Sequence, residues 1–152
     1  MKIAIGSDHG GFDLKRTLAE FLKKKGHNVE DCGTYSPGPC DYPQFAFEVA
    51  VRVGDRRAEK GVLICKSGIG TAIVANKVPG VRAAVCNSEE EAKLSREHND
   101  ANIIVFGSKF ISAEGAGKAL SIWLNTEHAG GRHKKRVDQI AEIEKRILEE
   151  RK

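Results

Sequence analysis

Gly61-Val62-Leu63-Ile64-Cys65-Lys66-Ser67-Gly68-Ile69-Gly70-Thr71 reads as a short apolar strand that breaks into a glycine-rich turn ahead of a helix. Its first five residues show no polar alternation, as expected of a strand covered on both faces. The same kind of run recurs at Lys2–Gly6, Asn28–Cys32, Arg82–Cys86 and Asn102–Phe106. Between the runs the apolar residues take helical spacing. Leu14, Leu18, Phe21 and Leu22 precede a stop at Gly26, and Phe45, Ala46, Val49, Ala50 and Val53 precede Gly54. Ser88 with Glu91 predicts a capping box that opens a helix toward Arg96. Ala116, Ala119, Leu120, Trp123 and Leu124 mark another helix, and Val137, Ile140, Ile143 and Ile147 a last one over about 136–150. Strands alternating with helices predict βαβ units and one parallel sheet, an α/β fold with five strands.

The chain has 152 residues, 40% hydrophobic and 30% charged, which fits a single folded domain, 1–152, and argues against disorder. No apolar run approaches the ~20 residues that span a bilayer, and the N-terminus lacks a signal-peptide pattern. A cytoplasmic location is expected. Net charge is +4, with Arg132, His133, Lys134, Lys135 and Arg136 in one tract. That tract is short and soon followed by Glu142 and Glu144, so it suits a compact anion better than nucleic acid. Cys32, Cys40, Cys65 and Cys86 form no CxxC pair, so a zinc ribbon or a dithiol redox motif has no support.

In open parallel sheets ligands bind beyond the carboxyl ends of strands, and the polar segments fall there. After the first run comes Ser7-Asp8-His9-Gly10-Gly11; after the third comes Lys66-Ser67-Gly68-Ile69-Gly70. Glycines let backbone N–H groups approach an anion, a phosphate or the oxyanion of an enediolate. Three familiar loops fail to match: a Walker A loop needs Gly at 65, a dinucleotide motif needs Gly at 73, and a C-x5-R loop needs Arg at 71. A tight turn with an inert cysteine is the plain alternative. Asp8 and His9 can bind sugar hydroxyls and phosphate, or can be a helix cap and a surface histidine. His98-Asn99-Asp100 is either a polar site segment or a helix C-cap with Asn99 left-handed. Arg132 and Arg136, four apart, share one face of a helix and can grip a phosphate.

Taken together these segments resemble the ribose-5-phosphate isomerase B family, which includes the galactose-6-phosphate isomerase subunits. The likeness runs over about residues 1–148 and includes Gly6 to Gly11, Asp41-Tyr42-Pro43, Cys65 with Ser67 to Gly70, Ala75-Asn76-Lys77, Ser95-Arg96 with His98-Asn99, and Gly130 to His133 with Arg136. The resemblance implies a Rossmann-like three-layer α/β/α sandwich that forms a homodimer or tetramer with sites built from two subunits. It implies a phosphorylated sugar substrate and no metal or organic cofactor. By the same resemblance Cys65 is the base that moves a proton between C1 and C2. Ser67 and the N–H groups of Gly68, Ile69 and Gly70 hold the enediolate oxygen, and His98 opens the furanose ring. Asp8, Tyr42 and Asn99 bind hydroxyls; His9, Arg132 and Arg136 bind the phosphate. Lys66 stands where the family has Gly and puts a long cation at the mouth of the site. Lys109 stands where it often has Arg, within reach of the phosphate. An isomerase of ribose 5-phosphate is the leading expectation. A six-carbon sugar phosphate isomerase, a non-catalytic sugar-phosphate sensor and, more distantly, a nucleic-acid binder stay open.

Overall fold

The computed structural model describes residues 1–152. Five strands, β1 (Lys2–Ser7), β2 (Asn28–Asp31), β3 (Lys60–Cys65), β4 (Ala83–Val85) and β5 (Ile103–Gly107), pair in the order β2-β1-β3-β5-β4. Every pairing is parallel. The helices are α1 (Phe12–Lys24), α2 (Tyr42–Gly54), α3 (Ile69–Ala75), α4 (Glu89–Asn99), α5 (Ala113–Asn125) and α6 (Gly131–Glu150).

Alternation along the strands divides the core in two. Ile3, Ile5, Val62, Ile64, Ile104 and Phe106 face α1, α4 and α5, with Trp123 fully buried among them. Ala4, Leu63, Ile103 and Val105 face α2 and α3. This is the predicted three-layer sandwich, and burial of each large aliphatic side chain contributes about 1.5–3 kcal/mol. The long loop 33–41 carries no regular element, as the Pro-Gly-Pro composition predicts. No helix is long and apolar enough to cross a membrane.

Three expectations change. The last helix starts at Gly131, five residues before the first position of the predicted span, because residues 131–136 have no buried face to advertise it. Ser88 Oγ accepts from Glu91 N–H at 3.1 Å, but the Glu91 carboxylate reaches back to Asn87 N–H rather than to the cap residue's own. At the end of α4 the left-handed residue is Asp100, with φ 47°, and Asn99 is still helical.

β1 has β2 on one side and β3 on the other, so the order of strands reverses direction across the sheet between β1 and β3. That switch point opens a crevice beyond the carboxyl ends of β1 and β3.

Candidate active site

The crevice holds a cleft of about 410 Å³ lined by Asp8, Tyr42, Cys65, Lys66, Ser67, Ile69, Gly70 and Ile73. A larger groove of about 590 Å³ runs beneath α6, but it is lined by Asn76, Asn99 and the helix's isoleucines and holds no cysteine, serine or histidine. The chemistry lies in the smaller space.

Cys65 ends β3 and its side chain is 4% exposed. Gly68 takes φ +80°, a left-handed turn that brings its N–H back onto Cys65 Sγ at 3.1 Å. An N–H aimed at sulfur is the contact that stabilises a thiolate. Ser67 Oγ accepts from Ile69 N–H at 3.2 Å, which leaves the hydroxyl hydrogen free for a ligand. Two donors of the expected nest are therefore already engaged. Gly68 N–H serves the sulfur and Ile69 N–H serves Ser67, so Gly70 N–H is the open member of the run. The donors left free for a ligand are thus Ser67 O–H and Gly70 N–H, a smaller set than the sequence predicts.

Asp8 is a cap, as one of its sequence readings has it, and it also stands at the cleft. One carboxylate oxygen caps Gly11 N–H at 3.2 Å, and the same side chain lines the cleft. His9 Nδ1 lies 3.2 Å from Cys40 N and 3.1 Å from Cys40 O. The loop thereby offers both a donor and an acceptor to one ring nitrogen, which satisfies it in either protonation state and leaves Nε2 for an anion. Ser108 N–H donates to Cys65 O at 2.9 Å, Lys109 N–H to Lys66 O at 3.0 Å, and Ser108 Oγ to Gly10 O at 2.7 Å. The loops after β1, β3 and β5 are tied together by these bonds. Lys109 sits beside the cleft through its backbone, with its ammonium 6.0 Å from the Phe110 ring.

Tyr42 opens α2, where Pro43 presets the first turn. Its ring lies on Gly70; a Cβ built there would come 2.8 Å from the Tyr42 hydroxyl oxygen. Gly70→Ala is expected to push the ring out of the cleft and raise KM about tenfold, the worth of one good hydrogen bond. Steady-state kinetics check this, and an unchanged KM would mean Tyr42 does not touch the substrate.

His98, Asn99, Arg132 and Arg136 lie elsewhere. Asn102, three residues beyond Asn99, accepts from Gly61 N–H at 2.9 Å, at the start of β3, whereas Cys65 ends that strand. β5, five residues long, separates the two edges by roughly 16 Å of strand. At this amino edge the His98 and His133 rings stack at 4.1 Å and 10°. Ala129 N–H also reaches Glu97 O at 3.0 Å, so the start of α6 is held beside the end of α4. Burial, then the charges of His98, Arg132 and Arg136, hold His133 below the usual histidine range. Arg132 and Arg136 are exposed and have no carboxylate partner. Sequence reasoning quoted His133 and Thr71 but gave them no role; a histidine beside a site arginine was the available signal for the first.

The fold and the cleft define a parallel α/β protein with a buried thiol in a polar cleft at the strand ends. The family model described as Ribose/Galactose Isomerase matches residues 3–140, and the chain belongs to this family. It is 44% identical over 145 residues to ribose-5-phosphate isomerase B of Escherichia coli (strain K12), covering 95% of this chain and 97% of that one. Among solved structures, ribose-5-phosphate isomerase B of Clostridium thermocellum superposes with a TM-score of 0.94 at 50% identity, covering 97% of this chain and 99% of the other. The Mycoplasma genitalium ribose-5-phosphate isomerase B with bound ribulose-5-phosphate gives a TM-score of 0.92 at 41% identity, covering 95% and 96%.

Proposed function

We propose that this chain interconverts ribose 5-phosphate and ribulose 5-phosphate, with Cys65 as the base. The observation that carries the reading is Cys65 Sγ at the floor of the switch-point cleft, bonded by Gly68 N–H at 3.1 Å with Ser67 beside it. The Cys65 thiolate takes the C2 proton of the open-chain aldose. The electron pair of that C–H bond forms the C1–C2 double bond of the enediolate, whose O1 takes hydrogen bonds from Ser67 O–H and Gly70 N–H. The thiol then returns the proton to C1, and the O2 hydroxyl proton passes to solvent as O1 gains one. His98 supplies the proton that opens the furanose ring. Four free thiols support a reducing, cytoplasmic setting.

The same reading makes the working unit a homodimer. A single chain keeps Cys65 and His98 at opposite edges of its sheet, so a second copy has to bring its His98, Asn99, Arg132 and Arg136 to the cleft. α6 supports this: Ile140, Ile143 and Ile147 are about half exposed and the helix buries no residue.

Turnover of ribose 5-phosphate by the purified protein tests the reaction; faster turnover of allose or galactose 6-phosphate would move the substrate to six carbons. Sharing of sites is tested by mixing. Cys65→Ala and His98→Ala homodimers are each inert, and subunit exchange between them makes heterodimers with one intact site. Activity is expected to return to roughly a quarter of wild type, since half the dimers are mixed and each restores one of two sites. No recovery, with exchange verified by mass, would place the whole site within one chain.

A further inference from the structure

Thr71 is completely buried, in the first turn of α3 and against the sulfur of Cys65. Its Oγ1 lies 3.4 Å from Cys65 Sγ and 3.2 Å from Gly68 O. Gly68 O also accepts from Ala72 N–H at 3.2 Å. The carbonyl therefore keeps a partner when the hydroxyl hydrogen turns away from it. One hydrogen thus has two acceptors within reach, and moving between them takes only a rotation about the C–O bond. Water cannot replace it at a site this buried.

We propose that Thr71 is a positioning residue for Cys65, its hydroxyl hydrogen turning to the sulfur when the sulfur is a thiolate and back to Gly68 O when the sulfur carries the substrate's proton. The inference rests on the reading of Cys65 as the base. In the thiolate state Gly68 N–H and Thr71 O–H both donate to sulfur and fix its position at the cleft floor. When the sulfur takes the C2 proton, an S–H bond forms and the C–H electron pair passes to the enediolate. The sulfur then no longer needs the second donor, and the hydroxyl returns to Gly68 O. The S–H is left to point at C1. No bond to Thr71 is made or broken.

A threonine that bonds back to a carbonyl in its own helix is otherwise a common structural device. Such a role predicts altered melting but an unaltered thiol. The test therefore reads the thiol as well as turnover in Thr71→Val, Thr71→Ala and Thr71→Ser, with Cys65→Ala alongside. Iodoacetamide modification at pH 7 is followed by mass spectrometry of the peptide that contains Cys65, which separates it from Cys40. Burial pushes Cys32 and Cys86 up to about 11, so both stay silent at that pH.

Thr71→Val and Thr71→Ala are expected to slow Cys65 modification about threefold to tenfold, the net worth of one ordinary hydrogen bond, since the hydroxyl's bond to Gly68 O in the thiol state offsets part of its bond to the thiolate. They should lower kcat by a similar factor, leave KM within about twofold, and move the acid limb of the kcat/KM profile to higher pH. Thr71→Ser should restore all three. Wild-type modification rates and an unmoved limb in both Val and Ala variants would overturn the proposal while Cys65→Ala, if inert, still upheld the base. Turnover by Cys65→Ala would instead remove the base reading and this inference with it.

Discussion

Cys65→Ala is expected to lower kcat about a thousandfold, within the range that a positioned base contributes. The substitution removes only the sulfur, so Gly68 N–H and Thr71 O–H each lose a partner while the fold keeps its packing. Melting temperature should fall by a few degrees at most, and substrate binding by calorimetry should persist, because the groups assigned to hydroxyls and phosphate are untouched. Cys65→Ser sharpens the reading. A serine hydroxyl can accept the same two hydrogen bonds, yet it ionises far less readily than a thiol. If the sulfur only positioned the loop, serine would restore most of the rate. If it carries the proton, serine should be nearly as slow as alanine, and turnover above about a tenth of wild type in either variant would rule out Cys65 as the base.

The second large effect concerns stability. Lys15 is 1% exposed, and its ammonium donates to both Asp31 oxygens at 2.6 and 2.7 Å. The Phe12 and Tyr35 rings stand at 5.5 and 5.7 Å from the same nitrogen. Asp31→Asn leaves that buried charge without a counter-ion. Such a loss costs about 3–5 kcal/mol in a fully buried pair, and the 38% exposure of Asp31 brings it to about 2–3 kcal/mol here. For a chain of this size that corresponds to a fall in Tm of roughly 4–12 °C. Adding Lys15→Met removes the orphaned charge and should recover most of the loss, since an apolar replacement for both partners is nearly neutral. Urea unfolding of the two single variants and the double variant completes the cycle. No recovery in the double variant would show that packing of the lysine stem, rather than its charge, holds this corner.

The strands were legible because both faces of the sheet are covered, so each reads as an unbroken apolar run; β3 and β5 differ from their predicted bounds by a single residue. The edge strand β4 is three residues long, Ala83–Val85, because Arg82 N–H is taken by the Asn102 side chain rather than by a strand, although Cys86 N–H still donates to Val105 O at 2.9 Å just beyond its end. Cys65, Ser67 and Asp8 were legible as a group because the strand-end rule places loops by topology alone; Tyr42 was legible only through the family resemblance. The separation of His98 from Cys65 was written in the sequence too: a segment just ahead of a strand lies at the amino edge, and His98-Asn99-Asp100 stands just ahead of β5. The Thr71 contact was not legible. It depends on how far the left-handed turn at Gly68 swings α3 back over the sulfur, which no periodicity encodes.

The lacing of the three strand-end loops has a consequence for descent. Loops joined by the backbone bonds of Ser108 to Cys65 and Lys109 to Lys66, and by the Ser108 hydroxyl to Gly10 O, cannot gain or lose a residue without breaking those bonds. Insertions and deletions, the usual means by which enzymes on parallel sheets acquire new substrates, are closed to this cleft. Divergence has to proceed by exchange of outward side chains on a fixed frame. The open positions are Lys66 at the mouth and Ile69 and Ile73 on the wall, the latter two 59% and 58% exposed. Lineages of this fold that change sugar should therefore keep the spacing of these loops and record their history at those few sites.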